Sequence, residues 1–115
     1  MNKNIAPILV YAYNRAEHLE QCISSLRGNA LAEVSTLYVF SDAARSEADR
    51  ETVEQVRRYI KTITGFKEIH IVERENNWGL ARSIIDGVTR TLQLYDRVIV
   101  VGDDLVVAPH FLQFM

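Results

Sequence analysis

The chain has 115 residues, of which 48% are hydrophobic and 24% charged. That is the profile of one globular domain with its own core, and it excludes a disordered chain, a collagen or a repeat array. The formal charge is −2, with thirteen Lys and Arg scattered rather than gathered in a run, so neither a nucleic-acid footprint nor a polybasic membrane anchor is expected. The single cysteine, Cys22, permits no internal disulfide and no multi-cysteine metal site. This fits a reducing compartment, and a cytoplasmic location is the expectation.

Lys3 followed by the apolar Ile5 to Tyr13 superficially resembles a signal peptide, but the run is short, contains Pro7 and lacks a small-residue cleavage pattern before Asn14-Arg15. It reads instead as a first strand. No stretch reaches the roughly 18 apolar residues of a membrane span. Four apolar runs, Ile8 to Ala12, Leu37 to Phe40, Ile69 to Val72 and Val98 to Val101, alternate with segments of helical period, the signature of a parallel α/β sheet.

Leu19, Cys22, Ile23 and Leu26 share one face of a first helix, with Asn14 and Glu17 as a capping-box-like start and Gly28-Asn29 as its stop. A second helix is expected from about Glu47 to Ile63, with Ser46 and Asp49 at its start, Val53, Val56, Ile60 and Ile63 as its stripe, and Gly65 just beyond. A third follows Gly79, turning Leu80, Ile84, Ile85, Val88 and Leu92 inward and Arg82, Asp86 and Arg90 outward, and ends near Tyr95. A fourth begins at Pro109 and runs into Phe111 to Met115.

His70 breaks the third run, which marks that strand as an edge, whereas Val98 to Val101 has no polar break. Right-handed crossovers then favour the order 3-2-1-4 in a three-layer, Rossmann-like α/β/α domain spanning residues 1–115, with the switch point between strands 1 and 4. In that order the most apolar strand lies at an edge.

Ligands of open α/β sheets bind beyond the carboxyl ends of the strands at the switch point, which directs attention to Tyr13-Asn14-Arg15, Ser41-Asp42, Glu73 to Asn77 and Gly102-Asp103-Asp104. Adjacent carboxylates after a buried strand repel each other and lose solvation, a cost that a hard cation such as Mg²⁺ or Mn²⁺ offsets. A solvated, Asp-capped turn accounts for the same spacing. Asn14 and Asp42 also have two readings each, as helix cap and turn former or as ligand contacts. Arg82 reaches either a phosphate or Asp86, and Trp78 either lines the crevice or packs. His18, His70 and His110 show no ligand spacing, and Cys22 reads as a buried apolar residue. There is no GxGxxG after a strand, no GxxxxGK[ST], no HExxH and no GxSxG.

Taken together, Pro7 to Arg15, Ser41-Asp42, Glu75-Asn-Asn-Trp-Gly-Leu-Ala81 and Tyr95-Asp-Arg-Val-Ile-Val-Val-Gly-Asp-Asp-Leu105 resemble the nucleotide-binding half of GT-A glycosyltransferases. The nearest likeness is to family-2-like and N-acetylglucosaminyltransferase-I-like sugar transferases. The resemblance implies that Ala12, Tyr13, Asn14, Arg15 and Asp42 hold the base and ribose of a UDP- or GDP-sugar. It places the Asp-x-Asp-like signature on Gly102-Asp103-Asp104, with Asp104 on Mn²⁺ or Mg²⁺ and Asp103 on the same metal, the sugar or the ribose. Gly102, where related enzymes often carry an acid, departs from the pattern.

The implied function is metal-dependent transfer of a sugar to an acceptor hydroxyl, with this chain as the N-terminal half of a truncated enzyme, inactive alone and prone to self-association through its fourth strand. The alternative is a non-catalytic, flavodoxin-like binding domain such as a phospho-receiver. Receivers, however, place paired acids after the first strand, where this chain has Tyr13-Asn14.

Overall fold

A computed structural model gives the fold of residues 7–28, 32–95 and 98–102. The β1 strand, Ile8–Ala12, is apolar and buried at every position because it is covered on both faces and paired on both sides. To one side lies β2 (Thr36–Ser41), followed by β3 (Glu68–Glu73), and to the other lies β4 (Ile99–Gly102). All three pairings are parallel and the order is β3-β2-β1-β4, as the sequence pattern requires. At the β3 edge, Glu68, His70, Ile71 and Glu73 are exposed, and His70 stacks on Tyr38 with ring centroids 4.8 Å apart. The opposite edge among the described strands is β4, where Ile99 and Val101 turn inward and Val100 outward.

Helices α1 (Ala16–Arg27) and α2 (Arg50–Ile60) cover one face, burying Leu19, Cys22, Ile23, Leu26, Val56 and Ile60 against Ile8, Val10, Leu37, Val39, Ile99 and Val101. Helix α3 (Leu80–Leu92) covers the other, where Ile84 and Val88 pack on Leu9, Tyr11 and Phe40. The result is the expected three-layer α/β/α arrangement.

Helix boundaries differ from the expected ones. Helix α1 starts at Ala16 with Arg15 at the N-cap position and no side-chain cap bond, so the proposed Asn14–Glu17 box does not form. The turn over Tyr13-Asn14 leaves Asn14 one residue too early to cap. A 3₁₀ turn at Glu47–Asp49 precedes α2, and neither Ser46 nor Asp49 caps with its side chain. The Asp49 carboxylate instead accepts the Tyr13 hydroxyl at 2.8 Å.

The larger correction concerns the inward face of α3. Ile85 and Leu92 are 66% and 47% exposed, while Ser83, Gly87 and Thr91 are buried. At about 100° per residue, positions 83, 84, 87, 88 and 91 form one face, and 85 and 92 fall roughly 110–130° from its centre. Small residues set that face because β1 and β2 beneath it present bulky rings. Tyr11 and Phe40 stack with centroids 4.9 Å apart, and a Cβ on Gly87 would overlap the Tyr11 hydroxyl and come within 3.0 Å of Phe40 Cζ. Asp86, expected outside, is only 28% exposed at its side chain because the buried Arg74 guanidinium draws it in at 3.0 Å. The segments expected around Asp103-Asp104 and Pro109 lie outside the described residues.

Gly87→Ala is therefore expected to lower stability by about 1–3 kcal/mol, since the ring pair beneath has no free volume; urea denaturation followed by circular dichroism measures it. Burial pushes the Tyr11 and Tyr38 hydroxyls up to about 12 from 10.0. The unfolded chain loses these protons first, so their contribution is constant below pH 10 and stability falls as pH rises from 10 towards 12. Absorbance at 295 nm during alkaline titration should show both rings still protonated when model tyrosines have ionised.

Candidate functional site

At the carboxyl ends of β1 and β2, beside the start of α3, lies a cavity of about 310 Å³. Five of the residues expected at a ligand site, Ala12, Tyr13, Asn14, Arg15 and Asp42, line it together. The remainder of its lining, Tyr11, Phe40, Arg45, Asn77, Gly79 and Ser83, comes from β1, β2, the loops after β2 and β3, and the first turn of α3. Gly102 is paired with Tyr11, so β4 ends beside the same wall. Asp103 and Asp104 lie outside the described residues, and among the described residues no three His, Cys, Asp or Glu gather as a metal site.

Asp42 organises this region. Its Oδ1 accepts the N–H groups of Ala43 at 2.9 Å and Trp78 at 2.8 Å, and its Oδ2 accepts Gly79 N–H at 2.9 Å and Asn77 Nδ2 at 3.3 Å. Two donors on each oxygen use the four acceptor positions of a carboxylate. Asp42 is therefore the anchor that holds the loop after β3 against the end of β2, and a pyrimidine imide would reach it only by displacing one of these donors. Gly79 can present its N–H because it adopts a φ of 83°, which disfavours a side chain. Asn77 adds a second tie by donating to the Ala43 carbonyl at 2.9 Å.

A second set of bonds locks the loop after β1. The Tyr13 hydroxyl donates to Asp49 and accepts the Arg45 N–H at 2.9 Å. Burial and the bond to Asp49 hold its pKa above the ordinary tyrosine value. This positions Arg15 and Arg45 at the cavity rim, both exposed and neither ion-paired within the described residues. With Asp42 enclosed by N–H donors, these two guanidiniums are the accessible charges of the lining, and they favour an anionic ligand.

Arg82 stands elsewhere. Its guanidinium lies over the Trp78 ring at 4.2 Å and outside the cavity lining, and Asp86 pairs with Arg74 and Arg90 rather than with Arg82. Trp78 packs: Arg74, 6% exposed at its side chain, also lies over it at 3.9 Å. Arg57 of α2 reaches across to donate to Ser41 Oγ, the Ser41 carbonyl and the Arg74 carbonyl at 3.0, 3.1 and 2.8 Å, tying the ends of β2 and β3 together. The sequence pattern marked neither Arg57, Arg45 nor Ser83. Arg57 reads as one more charge on an amphipathic helix, and the weak available signal for the other two is their nearness in sequence to Asp42 and Gly79.

Replacing Asp42 by Asn turns an amide donor towards backbone donors. Asp42→Asn is therefore expected to cost about 1.5–3 kcal/mol in urea unfolding before any ligand is added. A stability unchanged from the wild type would show that the loop does not depend on this carboxylate.

The order of the elements agrees with a comparison of the chain against known families, in which residues 8–115 match the glycosyl transferase family 2 model. No curated protein matches the chain significantly. Because the match covers nearly the whole chain, including every strand and the loops that build the cavity, the chain belongs to glycosyl transferase family 2.

Proposed function

We propose that the chain supplies the nucleotide-sugar-binding half of a metal-dependent transferase that moves a sugar from a nucleoside diphosphate to an acceptor hydroxyl. Family membership supports sugar transfer from a nucleotide sugar. The observation that carries the finer reading is the cavity beyond the carboxyl ends of β1 and β2, lined by the aromatic Tyr11 and Phe40 and rimmed by Arg15 and Arg45. An aromatic and an amphipathic wall accommodates a nucleoside, and two guanidiniums with no ion-pair partner among the described residues attract a diphosphate. Ala12, Tyr13 and Asn14 then border the nucleoside. Asp42 contributes chiefly by fixing the Asn77–Gly79 wall.

Asp103 and Asp104 follow directly on Gly102, which pairs with the cavity residue Tyr11. Their carboxylates are the hard oxygen donors that Mn²⁺ or Mg²⁺ takes, with Asp104 as metal ligand and Asp103 shared between metal and sugar or ribose. Such a cation, when bound, neutralises charge on the leaving diphosphate. The protein's own contribution is to orient the nucleoside and to bring Arg15 and Arg45 to the anionic end.

Isothermal calorimetry with UDP- and GDP-sugars, with and without Mn²⁺, tests this reading. Binding is expected to depend on Mn²⁺ and to weaken about tenfold or more in Asp104→Ala, with folding unchanged. A folded sample that binds no nucleotide, or binds it equally without metal, would falsify the proposal.

A further inference from the structure

Three buried side-chain polar atoms among the described residues have no hydrogen-bond partner: Tyr59 Oη, Arg74 Nε and Ser83 Oγ. Such groups are uncommon and each calls for a reason. Tyr59 of α2 packs against the core cluster and lies outside the cavity lining, as does Arg74, whose guanidinium is already engaged by Asp86. Ser83 differs: it is 4% exposed and lines the cavity.

A helical serine ordinarily satisfies its hydroxyl by bonding back to the carbonyl four residues earlier. Thr91, on the same stripe of α3, does so, donating to the Gly87 carbonyl at 2.6 Å. Ser83 does not, although its own backbone N–H reaches the Gly79 carbonyl at 3.1 Å. Its hydroxyl is therefore a buried donor and acceptor with no partner among the described residues, on a residue that lines the cavity. Of the other buried polar groups in the lining, the Tyr11 hydroxyl donates to the Ile84 carbonyl at 3.4 Å and Asp42 has its four acceptor positions filled.

Accepting that the cavity binds a nucleoside diphosphate, we infer that Ser83 Oγ hydrogen-bonds the nucleoside portion of that ligand and is a recognition residue of the site. The charge distribution orients the ligand. Arg15 and Arg45 are exposed at the rim and take the anionic end, whereas an uncharged polar edge, a base carbonyl or imide or a ribose hydroxyl, suits a buried hydroxyl that both donates and accepts. Ser83 thus takes the polar recognition that Asp42 would provide were its carboxylate not occupied by the loop.

The test titrates the 115-residue chain with uridine, UDP and inorganic pyrophosphate in Mg²⁺ buffer by NMR, using wild type, Ser83→Ala and Ser83→Cys, whose slightly larger thiol is a weak hydrogen-bonding group. Both variants should bind uridine and UDP about five- to tenfold more weakly, by the same factor for each, and pyrophosphate as the wild type does. The ligand-free midpoint in urea should be unchanged or higher in Ser83→Ala, because an unpartnered buried hydroxyl has been removed. Equal uridine and UDP affinities in wild type and variants would overturn the role of Ser83 while leaving the nucleotide reading intact. So would a loss confined to pyrophosphate, or a binding loss matched by lower ligand-free stability. A folded wild type that binds UDP no better than pyrophosphate would overturn the nucleotide reading and this inference together.

Discussion

The Asp42 carboxylate holds the working end of the domain together. Three chain segments meet there, the end of β2, the Asn77–Gly79 loop and the start of α3, and loops of this kind carry backbone N–H groups that need acceptors once water is excluded. A single carboxylate accepts three of these N–H groups and a side-chain amide besides. The bonds are charge-assisted, stronger individually than neutral ones, and they converge from both sides of the crevice. Placement of Gly79, and with it the first turn of α3 and Ser83, follows from this anchor. The unusual φ of Gly79 is the local condition that lets its N–H point at Oδ2.

Further interactions make that anchor rigid. Arg57 bridges the ends of β2 and β3, so that Ser41 and Arg74 keep a fixed separation on either side of Asp42. Arg74, in turn, is buried beneath Trp78 and ion-paired with Asp86, which fixes the outer flank of α3. The desolvation of a buried guanidinium makes such a pair costly to break rather than strongly stabilising in itself. Its consequence is geometric: α3 cannot rotate about its axis without separating Asp86 from Arg74 or driving a larger residue than Gly87 onto the Tyr11–Phe40 pair. The cavity is thus bounded by a wall whose position is set from outside by charge and from inside by ring packing.

Much of this was legible beforehand, and the reasons are specific. The alternation of apolar runs with helical stripes gave the α/β class and, through His70 in the third run, the edge position of β3. The clustering of Ala12, Tyr13, Asn14, Arg15 and Asp42 followed from the rule that ligand crevices form beyond the strand ends. What failed were inferences that treat one element in isolation. Ile85 and Leu92 were assigned to the buried face of α3 because they are apolar, but burial went to Ser83, Gly87 and Thr91, whose small size only matters opposite Tyr11 and Phe40. The Asn14 cap and the Arg82–Asp86 pair were plausible at their local spacings. The cap failed because α1 starts one residue too late for Asn14, and the pair gave way to Arg74, twelve residues from Asp86, and to the Trp78 ring beneath Arg82.

The sequence by itself determined the period of each element, the order of the sheet and the loops from which a ligand site would be built, because these depend on local hydrophobic pattern and on the handedness of crossovers. Only the tertiary structure decided which polar side chains are available to a ligand. Acceptor capacity and burial belong to a group's whole surroundings: Asp42 became an anchor because donors from 35, 36 and 37 residues away fill its oxygens, and Ser83, a residue of the cavity lining, was left with an unpartnered buried hydroxyl because no such partner among the described residues reached it.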